Sequence, residues 1–233
     1  MILPVRDKKW ISNPADVVIP QKADAAKATS ILQAAGYTKG SDGFYQKNGT
    51  RVSLTVQVVA GWSDFISAID VMTTELKAVG IELKSTQVAW NEWNDAETKG
   101  TFQLSLDSIG LGASSNPYFT YQPKYSTANT AKVGQAAANS GNFARYSNPV
   151  VDAALTKAAA TNDTTAQAAQ FAIVQKEIVR DLPYIPIYVN STLTEFNLTN
   201  ATGWPTNTNT YAFPAPWKTW DNGIVLKELK PVK

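Results

Sequence analysis

Apolar and polar side chains alternate from Val52 to Val58: Val52, Leu54, Val56 and Val58 fall on one side, and Ser53, Thr55 and Gln57 on the other. That is the two-residue period of a strand. The period then changes. Phe65, Ile69, Met72, Leu76 and Val79 recur at i, i+4, i+7, i+11 and i+14, one stripe of a helix, with Ser63 placed to cap its start and Gly80 to end it. Residues 81–88 return to strand character. A strand, a helix and a strand with short joints form a βαβ unit, so the two strands should be parallel. A shorter copy follows, with a polar helix at 91–99, a break at Gly100 and a third strand marked by Phe102, Leu104 and Leu106.

Helical spacing appears three more times. Asp24 heads a run carrying Ala25, Ala28, Ile31, Leu32 and Ala35, closed by Gly36. Asn148 and Pro149 open a helix with Val151, Ala154, Leu155 and Ala158 on one face. After Asn162 and Asp163, Phe171, Val174, Ile178 and Leu182 form another stripe. Asn48-Gly49 is a tight-turn dipeptide. Residues 183–189 read as a short strand bounded by proline, and Ile224, Val225, Leu226 and Leu229 as a last one. Residues 114–148 hold Ser, Asn, Gly, Tyr and Pro without a period, a length of loop that usually serves a function.

The alternation of strands and helices predicts an α/β chain with an open, mostly parallel sheet and flanking helices, followed by an irregular aromatic tail. Ligands of such sheets sit outside the carboxyl ends of the strands. This edge gathers residues 61–64, 89–93 and 109–118.

Composition removes more chemistry than it supplies. Among 233 residues there is no histidine and no cysteine. A Ser-His-Asp triad, a thiolate nucleophile and a Cys- or His-ligated metal are therefore excluded, and no cofactor or metal is expected. With 21 basic and 19 acidic residues, spread without blocks, no nucleic-acid footprint is expected. No apolar stretch reaches the length of about 18 residues needed to span a bilayer. The first residues lack the apolar core of a signal peptide, so an extracytoplasmic location would need an export signal on a longer parent chain.

What remains is flat and polar. Of seven tryptophans, Trp62, Trp90 and Trp93 fall at the sheet edge named above. An indole offers an apolar face on which a sugar ring can stack, and a polar N–H edge. Packing alone is the competing reading for each ring. Asp64 and Asp107, near the ends of two strands, raise the alternative of a glycoside hydrolase pair, against the ordinary reading of Asp64 as a first-turn helix residue. Gly110-Leu111-Gly112 lacks the lysine and the third glycine of phosphate-binding loops.

Four stretches in this order, Asp24–Tyr37, Glu75–Ile81, Arg145–Asp152 and Asp181–Ile187, resemble the C-terminal half of ABC-transporter solute-binding proteins of family 5, the peptide, nickel and oligosaccharide binders. The resemblance implies a non-enzymatic, extracytoplasmic ligand clamp, periplasmic or a cell-surface lipoprotein, that delivers its solute to a membrane permease. This chain would supply lobe II of a type II periplasmic-binding-protein fold. It divides the chain into a lead-in at 1–22, a ligand-binding lobe at 23–195 and a tail at 196–233 returning to a first lobe absent here. In that family, peptide binders carry an acidic residue just after the third strand of this lobe. The matching stretch here, Gly112 to Pro117, has none. Gly203-Trp204-Pro205-Thr206 and Gly61-Trp62-Ser63-Asp64 resemble instead the cello-oligosaccharide binders. The expected ligand is thus an oligosaccharide, with an oligopeptide as the alternative. The expected ligand-binding residues are Trp62, Trp90, Asn91, Trp93, Tyr118 and Asn142, with Arg145 either reaching the cleft or pairing locally. Exposed aromatics in the tail would also allow a non-native dimer.

Overall fold

The computed structural model describes residues 9–11, 14–17, 22–109, 116–137, 141–188, 194–213, 215 and 219–232. They divide into two compact units, Met1–Ile187 and Tyr188–Lys233.

In the first unit the alternation at 52–58 becomes β4 (Ser53–Val59), preceded by α1 (Ala25–Ala34), β1 (Thr38–Lys39), β2 (Tyr45–Lys47) and β3 (Thr50–Arg51). Asp24 caps α1 by accepting from the Lys27 N–H at 2.8 Å, and Gly36 follows the helix at φ +83°. Asn48 and Gly49, at φ +52° and +78°, make the turn joining β2 to β3. β1, β2 and β3 form a small antiparallel sheet.

β4 continues into α2 (Ser63–Ala78), β5 (Glu82–Val88), α3 (Trp90–Lys99) and β6 (Leu104–Ser105). The three strands lie in the order β5-β4-β6, both pairings parallel, with Val56 beside Ser85 and Leu104. Val56, Val58, Leu83 and Ile69 are buried together, and Phe65, Met72 and Leu76 of α2 pack on them. This is the open parallel α/β arrangement that the sequence predicts. Two boundaries differ. Ser63 is the first helical residue, so the cap position falls on Trp62, which provides no side-chain bond. Gly61, at φ +89°, turns the chain one residue early. The third strand is shorter than its apolar residues suggest.

The segment without a period contains α4 (Tyr118–Tyr125). With α5 (Pro149–Ala159) and α6 (Thr164–Asp181) it encloses a second core of Tyr121, Tyr125, Val151, Leu155, Phe171 and Val174, joined by Trp10. Trp10 meets Phe171 edge-on at 5.6 Å, and its carbonyl accepts from the Gln175 amide at 3.2 Å. Asn148 caps α5 as expected, accepting from the Val150 N–H at 2.9 Å. Leu182 leaves the stripe of α6: it is the exposed left-handed residue that ends the helix, at φ +45°. Residues 183–188 form no strand. Pro183 and Pro186 have no N–H to give to a ladder.

In the second unit β7 (Ala201–Thr202) pairs antiparallel with β8 (Lys230–Pro231). The expected strand over Ile224 to Leu229 is instead α7 (Thr219–Glu228), with Asp221 in its first turn and Lys227 in its last, the placement that a helix dipole favours. Phe196 stacks on Trp204 at 4.7 Å, while Trp220 is 91% exposed.

Candidate functional site

The carboxyl ends of β5, β4 and β6 present three turns side by side, because parallel strands end at the same edge. At this edge the Ala60 N–H donates to the Val88 carbonyl at 2.9 Å, tying the first turn to the second. α2 and α3 both start here, and neither start is capped by a side-chain hydrogen bond. The amino ends of two helices are donor-rich ground for polar oxygens.

Three of the expected residues form a corner on this edge. Trp62 meets Trp93 edge-on at 5.1 Å and Phe65 at 5.3 Å. Trp93 is buried, and its indole N–H has no hydrogen-bond partner. Trp90, the first residue of α3, is 53% exposed, and Asn91 beside it is also open. The corner thus has one free ring, Trp90, standing one turn from a packed pair. Tyr118 lies elsewhere, at the start of α4, packed partly on the helical core and edge-on to Phe119 at 5.7 Å.

Asn142 is fully buried, with its amide occupied by the loop itself. Its NH2 group donates to the Tyr146 carbonyl at 2.6 Å and the Ser126 carbonyl at 3.3 Å, and its oxygen accepts from the Tyr146 N–H at 3.0 Å. Arg145, at φ +57°, turns to the carboxyl end of α3. There it donates to the carbonyls of Thr98 at 2.8 Å and Gln135 at 3.0 Å. Both side chains fix the long loop. Gly110-Leu111-Gly112 and most of the stretch before Pro117 lie outside the described residues.

Beneath the tryptophans runs a polar chain that the sequence reading overlooked. The Gln57 amide on β4 donates to the Ser105 hydroxyl on β6 at 3.2 Å and, at a long 3.5 Å, to the Trp93 carbonyl. Ser105 in turn donates to Glu97 Oε1 at 2.7 Å. Glu97 is 4% exposed. Burial, then the neighbouring charge of Asp107, pushes its carboxyl up to about 7, against smaller opposing pulls from the Ser105 hydrogen bond and from Lys124. Asp107 is raised too, by loss of water around its carboxyl. Its residue surface still meets solvent, whereas that of Glu97 does not. Tyr184, pushed up to about 12 chiefly by burial, also feels both acids. A signal was available: Glu97 lies four residues after Trp93, on the face of α3 that turns inward.

The Asp64 and Asp107 pair does not form a matched site. Asp64 is exposed in the first turn of α2, whereas the carboxylate neighbour of Asp107 is Glu97. A separate depression of about 350 Å³, between Tyr37, Lys47, Arg51 and Leu54, lies at the amino end of β4.

A model of the family described as bacterial extracellular solute-binding proteins, family 5 Middle, matches residues 7–132. Protein XP55 of Streptomyces lividans is 29% identical over 166 residues, 71% of this chain and 29% of that protein. The oligopeptide-binding protein AppA of Bacillus subtilis is 24% identical over 189 residues, 80% of this chain and 33% of that one. Among solved structures, a mannohexaose-bound periplasmic oligopeptide-binding protein of an ABC transporter from Thermotoga maritima superimposes with a TM-score of 0.81 at 27% identity. The superposition covers 96% of this chain and 42% of that one. The chain therefore spans about a third of the length of these curated relatives.

Proposed function

Because the chain belongs to the bacterial extracellular solute-binding proteins of family 5, we propose that it supplies one lobe of a clamp that binds an oligosaccharide and delivers it to an ABC permease. AppA and the Thermotoga protein named above are binding proteins and not enzymes. Among the described residues no helix is long and apolar enough to cross a membrane.

The observation that carries the sugar reading is the tryptophan corner. Trp90 offers a free ring face at the carboxyl edge of a parallel sheet, with the Asn91 amide beside it. A neutral sugar presents apolar ring faces for stacking and hydroxyls for amide hydrogen bonds. The mannohexaose in the Thermotoga relative is in keeping with this choice. Trp62 and Trp93 back the platform, whereas Tyr118 sits on α4, away from it. Asn142 and Arg145 serve as braces of the loop, since the Asn142 amide and both terminal nitrogens of Arg145 are already engaged.

An oligopeptide is the second reading, favoured by one observation. Asp107, just past β6, keeps part of its surface open beside Glu97, and its carboxylate could accept a peptide's ammonium group. Titration of the two-lobed protein with cello-, xylo- and manno-oligosaccharides and with di- to pentapeptides, followed by tryptophan emission, separates the two. Saturable change with one sugar series, reduced at least tenfold in affinity by Trp90→Ala, is expected. A response to peptides alone, abolished by Asp107→Asn, would overturn the sugar reading.

A further inference from the structure

We infer that the depression at the amino end of β4 is a second binding site, for a small monocarboxylate with a short apolar body. It lies at the opposite edge of the parallel sheet from the tryptophan corner: the seven residues of β4, Ser53–Val59, put about 20 Å between the two. The inference goes beyond the sugar reading and does not depend on it.

The cation of this site is Lys47. Strand register sets it beside Thr50 of β3, and the pairing of Thr38 with Gln46 brings Tyr37 to its other side. The three side chains therefore form a row on one face of the small antiparallel sheet. An exposed lysine is ordinarily free to sample many rotamers, and ordering it opposes binding. Here Nζ donates to the Ala35 carbonyl at the end of α1, at 2.7 Å, and stands 5.4 Å from the centre of the Tyr37 ring. The carbonyl takes one of the three ammonium hydrogens. Donors are left for a ligand, on a cation that is already held in place.

Charge decides the ligand class. Arg51, on the same wall, is engaged: its guanidinium donates to Glu82 Oε1 at 3.0 Å and to the Asp42 carboxylate. Lys84 lies 3.3 Å from the other oxygen of Glu82. Two acids are thus matched by two bases, which leaves Lys47 unmatched, and among the described residues no Asp or Glu lines the depression. One unmatched ammonium suits one negative charge. A dianion such as phosphate needs a second free cation. A zwitterionic amino acid needs a free carboxylate for its ammonium group, and Asp42 and Glu82 are already paired. The rest of the wall is apolar. Val52 and Leu54 are half-buried, Leu54 packing on the core of the parallel sheet, and they line the same space as the Tyr37 ring. At about 350 Å³ this space falls at the lower end for small-molecule sites, with room for one ring or a branched chain and not for an oligosaccharide.

Phenylacetate is the probe, with phenylacetamide as its neutral isostere and phenylalanine as its zwitterionic relative. Backbone amide spectra of the isotope-labelled chain are followed through each titration at constant ionic strength. Phenylacetate should shift the amides of residues 47–54 saturably, in the millimolar range, and leave those of residues 89–93 unmoved. Phenylacetamide and phenylalanine should bind about tenfold more weakly, the worth of one charge-assisted hydrogen bond. Lys47→Gln should weaken phenylacetate to a similar degree, and Trp90→Ala should leave it unchanged. An equal response to phenylacetamide would overturn the inference. So would shifts that rise without saturating, or that sodium chloride reproduces at the same concentrations, since these mark general ion attraction. The three-ligand comparison is made on the unaltered chain, so it decides the matter even where Lys47→Gln disturbs the turn.

Discussion

Two residues in the first unit show how much a single position can carry when backbone and side chain are both committed. Gly100 ends α3 at φ +67°, and a Cβ built on it would meet the Arg145 guanidinium at 2.9 Å. Alanine there must take a left-handed conformation and also displace the arginine from the Thr98 and Gln135 carbonyls. Gly100→Ala should cost about 2 kcal/mol, of which about 1–2 is backbone strain. The measurement is the midpoint of urea unfolding, and a variant within a few tenths of wild type would show that Arg145 is free to move. Asn142 is the polar counterpart. Its removal leaves two buried carbonyls and one N–H without partners, so Asn142→Ala should cost about 2–3 kcal/mol. Sequence alone could not separate a buried asparagine that braces a loop from an exposed one that meets a ligand, since both look alike in a polar stretch.

At the scale of elements, α5 depends on a cap that does more than cap. Asn148 accepts from the Val150 N–H and, at 3.4 Å, from the Val151 N–H, while its NH2 group donates to Glu177 Oε2 at 2.9 Å and Asp181 Oδ2 at 3.2 Å. Aspartate is normally as good a cap as asparagine. Here it would set a third carboxylate against two others. Asn148→Asp should therefore unfold at lower temperature than Asn148→Ser at pH 7, and the gap should close toward pH 4 as the introduced acid takes up a proton. Equal melting temperatures at pH 7 would mean that only the cap matters. Elements with one strong period, such as β4, α2 and α5, were legible in the sequence because burial on one face fixes their pattern. α4 was not. Its buried face is made of Tyr121 and Tyr125, whose hydroxyls read as polar, and Pro123 interrupts it. α7 was misread as a strand because only Val225 among its apolar residues is buried, so no stripe marks a helix. At the site, the tryptophans were visible from type and position. The polar chain beneath them was hidden because Gln57, Glu97 and Ser105 come from three separate elements, and only the fold brings them together.

For the chain as a whole, the absence of histidine leaves its response to pH to a few displaced carboxyls. Asp181 is held down at about 2, first by the Arg180 hydrogen bond and then by that from the Tyr146 hydroxyl at 2.7 Å. A depressed acid stabilises the folded form above its unfolded value of 3.8, and that contribution is lost as pH falls toward 2. Its exposure keeps the effect small. Glu97 acts in the opposite sense. Its carboxyl holds a proton more tightly folded than unfolded, so its contribution is complete below the ordinary value of 4.5 and disappears as pH rises through about 7. Together they place maximal stability of the first unit near pH 5, about where both contributions are in force. Thermal unfolding scanned from pH 3 to 9 should peak there and fall on both sides. Glu97→Gln should flatten the alkaline side, being more stable than wild type at pH 8 by up to about 3 kcal/mol, because glutamine still accepts from Ser105 and buries no charge. A wild-type melting temperature that climbs steadily from pH 5 to 8 would show instead that Glu97 is ionised and accommodated in the folded chain.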